Sequence, residues 1–263
     1  MSDLGIFPFG KPVRKVEQND RTPKSFFVLG VYSNAVNARW VTAMGKTFVM
    51  ALAIENEPDI FWRGSPVYVN RLISRLNVPR ELGELIAAHK DLNGAVGRAL
   101  DYNLLEPLGL TRTQIWSCYL IPFALANKSQ RKSIRKYMGY KDRFKLPAAE
   151  VKPDVIKSKL INKKRIEEIA EEIKESKAEV LITLGDLPLH HFVKQFHRNM
   201  GSLSSFDKYG QLHEIKIADK NMILLPVVHP RQAGRKGKYS QRWYDFHDYW
   251  LENNAADILK DIV

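Results

Sequence analysis

The chain has 263 residues, 44% hydrophobic and 27% charged, an ordinary globular balance with enough apolar sequence for one large domain or two small ones. Its formal net charge of +12 suits a polyanionic partner, nucleic acid before anionic membrane. The single cysteine, Cys118, excludes an intramolecular disulfide framework and a cysteine-ligated iron–sulfur cluster. No apolar run reaches the roughly 20 residues of a spanning helix. The N-terminus lacks a charged-then-apolar leader, so a cytoplasmic monomer with no membrane association is expected. The seven histidines show no zinc spacing. His190 and His191 are neighbours that would point apart on a helix, so neither a metal nor another cofactor is expected.

Residues 1–24 are polar and carry Pro8, Pro12 and Pro23, which predicts an irregular arm ahead of a single α/β domain over 25–263. A first strand is expected over about 25–31, then a loop over 32–46, then a second strand, Thr47 to Ile54. An acidic turn follows, Glu55-Asn56-Glu57-Pro58-Asp59. Residues 68–106 carry helical patterns, among them Glu81 to Ala88 and Ala95 to Leu105. Gln114 to Ile121 reads as a strand stopped by Pro122.

The positive charge is then concentrated. Lys128 to Arg165 holds fourteen Lys and Arg against Asp142, Glu150 and Asp154, with Tyr137, Tyr140 and Phe144 interleaved. Asn162 caps a helix over Lys163 to Lys177, with Ile166, Ile169 and Ile173 as its buried stripe. Val180 to Gly185 is a short buried strand ending at glycine, and Leu187 to Met200 is helical. His213 to Ala218 and Met222 to Val228 form a hairpin, and a last helix spans about Ser240 to Ile262. Continuous apolar strands separated by helices predict a three-layer α/β sandwich with a central, mostly parallel sheet of four or five strands. In such sheets the carboxyl ends of the strands carry the site, which puts Gly30 to Asn37 and His229 to Arg231 at one edge.

These motifs resemble the uracil-DNA glycosylase superfamily from about Phe26 to Trp250. Gly30-Val31-Tyr32-Ser33-Asn34 stands where that superfamily has Gly-x-Asp-Pro-Tyr or Gly-x-Asn-Pro-Gly. His229-Pro230-Arg231 stands where it has His-Pro-Ser. The resemblance implies a cluster-free DNA glycosylase that flips a base from the duplex and hydrolyses its bond to the sugar. It gives His229 the role of donor to the leaving base. It puts Gly30, Val31, Tyr32 and Tyr119 in the base pocket, with Tyr119 where relatives carry an Asn that reads a pyrimidine edge.

The water-activating acid of the family falls at Tyr32, and a phenol with a reference pKa of about 10 is a poor base at neutral pH. The nearby candidates are Asn34, Asn37, Glu55, Glu57 and Asp59, and Asn37 has the alternative role of holding the loop backbone. Asn34 also replaces the tyrosine that excludes C5 substituents in the uracil-specific branch. The expected substrate is therefore a C5-modified pyrimidine, such as glucosylated hydroxymethylcytosine in phage DNA, and the expected role is defence. The alternatives are uracil excision in base-excision repair and a non-catalytic DNA binder.

The resemblance also places the loop after His-Pro in the minor groove. DNA contacts are thus expected from Arg231, Arg235, Lys236, Lys238 and Tyr239, with Arg39 as a phosphate ligand. No catalytic lysine stands out for a lyase step. An unrelated nucleotide enzyme lacks support, because there is no Gly-x-x-x-x-Gly-Lys loop and Leu184-Gly185-Asp186 alone is weak.

Overall fold

The structure, a computed structural model, describes residues 4–155, 160–234 and 240–258. Its first elements are β1 (Gly5–Ile6), β2 (Phe26–Tyr32), β3 (Ala35–Val41), β4 (Thr47–Asn56) and α1 (Pro66–Ile73). Then come β5 (Glu84–Ala87), α2 (Ala95–Leu100), β6 (Ile115–Ile121), α3 (Lys128–Met138) and β7 (Glu150–Val151). The chain closes with α4 (Lys163–Ser176), β8 (Val180–Leu184), β9 (His213–Ile217), β10 (Lys220–Val227) and α5 (Gln241–Asn253). The fold is mixed α/β, with a central five-stranded, mostly parallel sheet flanked by helices as in a three-layer sandwich. Where the sequence suggested one domain after residue 24, contacts gather into two compact units. One comprises the described residues of Met1–Val16, Tyr32–Gly97 and Pro122–Ile156, the other those of Glu17–Val31, Arg98–Ile121 and Lys157–Val263. Among the described residues no helix is long and apolar enough to cross a membrane.

The second unit holds the five-stranded sheet, in the order β6-β2-β8-β10-β9. β8 runs parallel to both β2 and β10, so Leu29, Thr183 and Pro226 share one row of the register. All five residues of β8 are buried, as the continuous apolar run requires. Pro226 sits inside this sheet without losing a ladder bond. The Ile223 N–H donates to Glu179 O at 2.8 Å, towards β8, so by alternation the nitrogen of Pro226 faces the β9 side. β9 pairing ends at Leu224, two residues earlier, and no partner is missed there.

α4 begins at Asn162, whose side chain accepts the Arg165 N–H at 3.0 Å. Its buried stripe differs from the expected one: Ile169 and Ile173 are buried, but Arg165 is buried too, while Ile166 is only half-buried. The guanidinium reaches into β6. It donates to Leu120 O at 3.2 Å, Tyr119 O at 2.7 Å and Cys118 Sγ at 3.2 Å. Outside, it meets Glu168 at 3.1 Å and Glu172 at 3.2 Å. An arginine that ends the basic run of the sequence is thus a buried polar link between α4 and β6, beside the Trp116 Nε1–Glu172 bond at 3.3 Å. Burial drives the Cys118 thiol pKa up, and so this cysteine is a structural group.

The first unit holds an antiparallel three-stranded sheet, β4-β3-β5, and a short β1–β7 ribbon within the N-terminal arm and the 150–151 segment. Two expectations are corrected here. Residues 35–41 are a strand rather than part of a loop, closed onto β4 by a turn in which Thr42 N–H donates to Lys46 O at 2.9 Å. Asn37 and Arg39 had obscured its apolar pattern. Residues 84–87 are a strand rather than a helix, because Gly83 at φ 87° stops the preceding turn and β5 pairs with β3. A Cβ at Gly83 would lie 2.1 Å from Val41 O, so only glycine allows this approach.

Removing Arg165 tests this packing. Arg165→Met leaves Glu172 and the β6 carbonyls without their partner and lowers stability by about 3 kcal/mol. Lys163→Ala, which breaks only an exposed pair with Glu167, changes it by less than about 0.5 kcal/mol. Urea unfolding of the full chain reads both.

Candidate functional site

The parallel register brings three chain ends to one edge of the five-stranded sheet: Gly30 in β2, Gly185 after β8 and His229 after β10. Gly30 is buried and Val31 half-buried. Gly185 adopts φ 87° and ψ −176°, a backbone region open essentially to glycine alone. Its N–H donates to Val227 O at 2.7 Å, and a Cβ there would meet His229 Cβ at 3.5 Å. The β8 turn therefore forms a wall against His229. Asp186, next in sequence, accepts the Leu203 N–H at 2.7 Å and is occupied with holding that segment.

His229 caps the short helix Pro230–Ala233, and its Nδ1 accepts the Arg231 N–H at 3.3 Å. An accepting Nδ1 carries no proton, so the ring proton sits on Nε2, which is then a donor. Burial, reinforced by the Arg231 charge, pushes the His229 pKa down to about 4. The imidazole is neutral at pH 7 and offers one N–H.

The backbone on both sides of His229 is gripped by a hydrogen-bonded belt. Val228 N–H donates to Tyr209 Oη at 3.0 Å, and the Tyr209 hydroxyl in turn meets His247 Nδ1 at 2.7 Å. His247 Nε2 meets Asn103 O at 2.6 Å, and Asn103 Nδ2 donates to Pro230 O at 2.9 Å. A carbonyl can only accept, so His247 is protonated on Nε2 and receives the Tyr209 proton at Nδ1. Burial lowers the His247 pKa and raises that of Tyr209, which keeps both neutral. Tyr209, His247 and Asn103 were not singled out in the sequence. They are far apart along the chain, and nothing in their local context marks them.

In the first unit, Asn34 and Glu57 are brought together. Glu57 Oε1 accepts the Asn34 N–H at 3.1 Å, and Glu57 N–H donates to Asn34 O at 3.2 Å. Glu57 is 3% exposed. The Asn34 side-chain amide makes no hydrogen bond to the described residues, so its donors and acceptor are available. Glu55 Oε1 accepts from Asn56 N–H and Asn56 Nδ2, both at 3.1 Å, and from Arg14 at 3.4 Å.

Asn37 is corrected from a catalytic candidate to a structural clamp. Its amide donates to Ala35 O at 2.9 Å and Leu92 O at 2.8 Å, and its Oδ1 accepts from Gln130 at 3.0 Å. Arg39 is half-buried in β3, with its Nε buried and unpartnered. Tyr32 ends β2 and is half-buried. In the second unit, Tyr119 is 1% exposed within β6. Arg231 is exposed on the short helix. Arg235, Lys236, Lys238 and Tyr239 lie outside the described residues. His190 and His191 do not diverge: they share a π-helical turn with ring centroids 4.8 Å apart. Among the described residues, no group of three or more His, Cys, Asp or Glu is placed to hold a metal.

α3 presents a uniform cationic face. Gln130, Ser133, Ile134 and Tyr137 are buried, while Lys128, Arg131, Lys132, Arg135 and Lys136 are exposed at the spacing of a single stripe. None of the five pairs with a carboxylate among the described residues. Like charges at this spacing repel, and Lys128 sits at the positive end of the helix dipole. The stripe opposes the helix's own stability and matches a polyanion.

No protein-family model matches the chain, and neither does any curated protein.

The belt around His229 is testable by itself. Tyr209→Phe leaves Val228 N–H and His247 Nδ1 unsatisfied in a buried place, which costs about 1–3 kcal/mol by urea unfolding. An unchanged midpoint and slope would show that the hydroxyl holds nothing.

Proposed function

We propose that the protein is a monofunctional DNA glycosylase, a divergent member of the uracil-DNA glycosylase superfamily. It hydrolyses the N-glycosidic bond of a flipped-out base and leaves an abasic site. The observation that carries this reading is His229: a neutral imidazole, its one donor fixed on Nε2, at the carboxyl edge of a parallel sheet. As the bond from the base to C1′ breaks, the electron pair moves onto the base. The Nε2–H donates to the base oxygen that collects this charge, while water adds to C1′ and releases its proton to solvent. A preorganised donor of this kind acts without transferring its own proton.

The substrate class follows from Asn34. Its uncommitted amide stands where the uracil-specific branch has a blocking tyrosine, which favours a pyrimidine with a polar C5 group such as glucosylated hydroxymethylcytosine. The buried Glu57 carboxylate fixes the backbone at that position. DNA is held through phosphates by the α3 stripe, with affinity that is independent of sequence.

Base release decides this reading. The panel holds duplexes with uracil, a thymine mismatch, hydroxymethylcytosine and glucosylated hydroxymethylcytosine. The last gives abasic sites, and His229→Ala lowers the rate about 100- to 1,000-fold. Cleavage of plain uracil with no activity on C5-substituted DNA would replace the substrate by uracil. Binding with no cleavage of any duplex would make the protein a binding module, in line with Tyr32 at the water-activating position.

Salt dependence tests the binding face separately. Replacing Lys128, Arg131, Lys132 and Arg135 by Gln flattens the slope of log K against log salt for duplex DNA by about 3–4. An unchanged slope would remove α3 from the interface.

A further inference from the structure

A cavity of about 360 Å³ lies between the segment around Phe206 and α5, entirely within the second unit. Its walls include six aromatic rings: Phe206, Tyr209, Trp243, Phe246, Tyr249 and Trp250. The pairs Tyr209–Trp243 and Trp243–Phe246 have centroids 6.3 and 6.0 Å apart and are inclined at 44° and 63°. Phe246 is 41% exposed and Tyr249 65%, so two large rings of one helix stay in water beside the opening. Clustered exposed aromatic surface of this kind marks a contact site.

Two further observations narrow the ligand. The Trp250 side chain is 2% exposed, yet its indole N–H has no acceptor among the described residues. That nitrogen packs against Gly210, where an added Cβ would lie 2.4 Å away, so the indole is a fixed back wall rather than a donor to a ligand. The cavity is also lined by Lys208 and Arg242. The Arg242 guanidinium lies 5.5 Å from the Trp243 centroid and 5.3 Å from that of Phe246, and neither cation is paired with a carboxylate among the described residues. A neighbouring cavity of about 290 Å³ shares Lys208, Tyr209 and Trp250 and adds the amides of Gln211 and Asn253.

Aromatic walls bind either cations or planar rings. Arg242 and Lys208 outnumber Asp207 at the rim, which disfavours a cationic ligand and favours an anion attached to a flat ring. We propose that this cavity is a nucleotide-binding site separate from the His229 edge. The base stacks among Trp243, Phe246 and Phe206, and its phosphate is held by Arg242 and Lys208. Asp207, on the same rim, accepts from an exocyclic amino group or a sugar hydroxyl. The volume falls within the range of small-molecule sites, about 300–1,000 Å³. The ligand is a free nucleotide or an unpaired nucleotide of a strand, since both carry the same chemistry.

Calorimetric titration of the full chain with AMP, adenosine, choline and a short single-stranded deoxyadenosine oligomer tests this without any use of base excision. AMP binds at least about tenfold more tightly than adenosine. Phe246→Ala, at an exposed position that spares the core, and Trp243→Ala each weaken AMP about tenfold, the scale of one base–aromatic stack. Arg242→Gln abolishes the preference for AMP over adenosine. Displacement of AMP by the oligomer assigns the site to a strand, and failure to displace it assigns the site to free nucleotide. The proposal is overturned if AMP does not bind, if choline binds in its place, or if AMP affinity is the same in Phe246→Ala and Arg242→Gln, with native circular dichroism confirmed for each.

Discussion

Parallel pairing of β2, β8 and β10 is the constraint on which the rest depends. Three strands that run the same way must end on the same edge, and here that edge carries the last residues of β2 from Gly30 to Tyr32, Gly185 after β8 and His229 after β10. Each neighbour of the histidine serves that placement. Gly185 supplies the φ of 87° that turns the chain after β8 beside His229. Pro226 ends the ladder on the side where β9 has already stopped. Pro230 starts a helical turn whose Arg231 N–H decides which ring nitrogen of His229 keeps the proton.

The hydrogen-bonded belt explains how the turn holds a donor in one orientation. Val228 and Pro230 flank His229, and each backbone group is tied to the same three-residue relay of Tyr209, His247 and Asn103. Because both histidines are neutral, the relay carries no buried charge and needs no counter-ion. Charge is kept elsewhere, on the cationic face of α3 and at the rim of the aromatic cavity, where polyanion or nucleotide can meet it.

Strand β8, the α4 cap at Asn162 and the β9–β10 hairpin were all readable from sequence, because each follows from local periodicity or capping chemistry. β3 and β5 were not. Asn37 and Arg39 interrupt the apolar pattern of β3, and the reason Asn37 can be tolerated lies in Gln130 and Leu92, far away in the chain. Arg165 looked like one more cation of a basic run, and only tertiary contacts with β6 make it a core residue. His229 was legible because the apolar run before it and the proline after it mark a strand end. Its tautomer and its supporting belt were not, since the tautomer depends on the local turn geometry at Arg231 and the belt joins Tyr209, His247 and Asn103, whose spacing carries no signal.

Histidine ¹⁵N spectra of the full chain across pH 3.5–8, with His229→Gln for assignment, test the central claim most directly. The account predicts a neutral ring with its proton on Nε2 above pH 5.5 and a pKa near 4. Because the folded value lies below the free one, His229 contributes a loss of stability as pH drops from about 6.5 towards 4, of at most about 1.4 kcal/mol per pH unit, and His229→Gln should lack this contribution while that of His247 remains. A pKa near 6.5, or a proton on Nδ1, would leave the edge of the sheet without its fixed donor and would contradict the account.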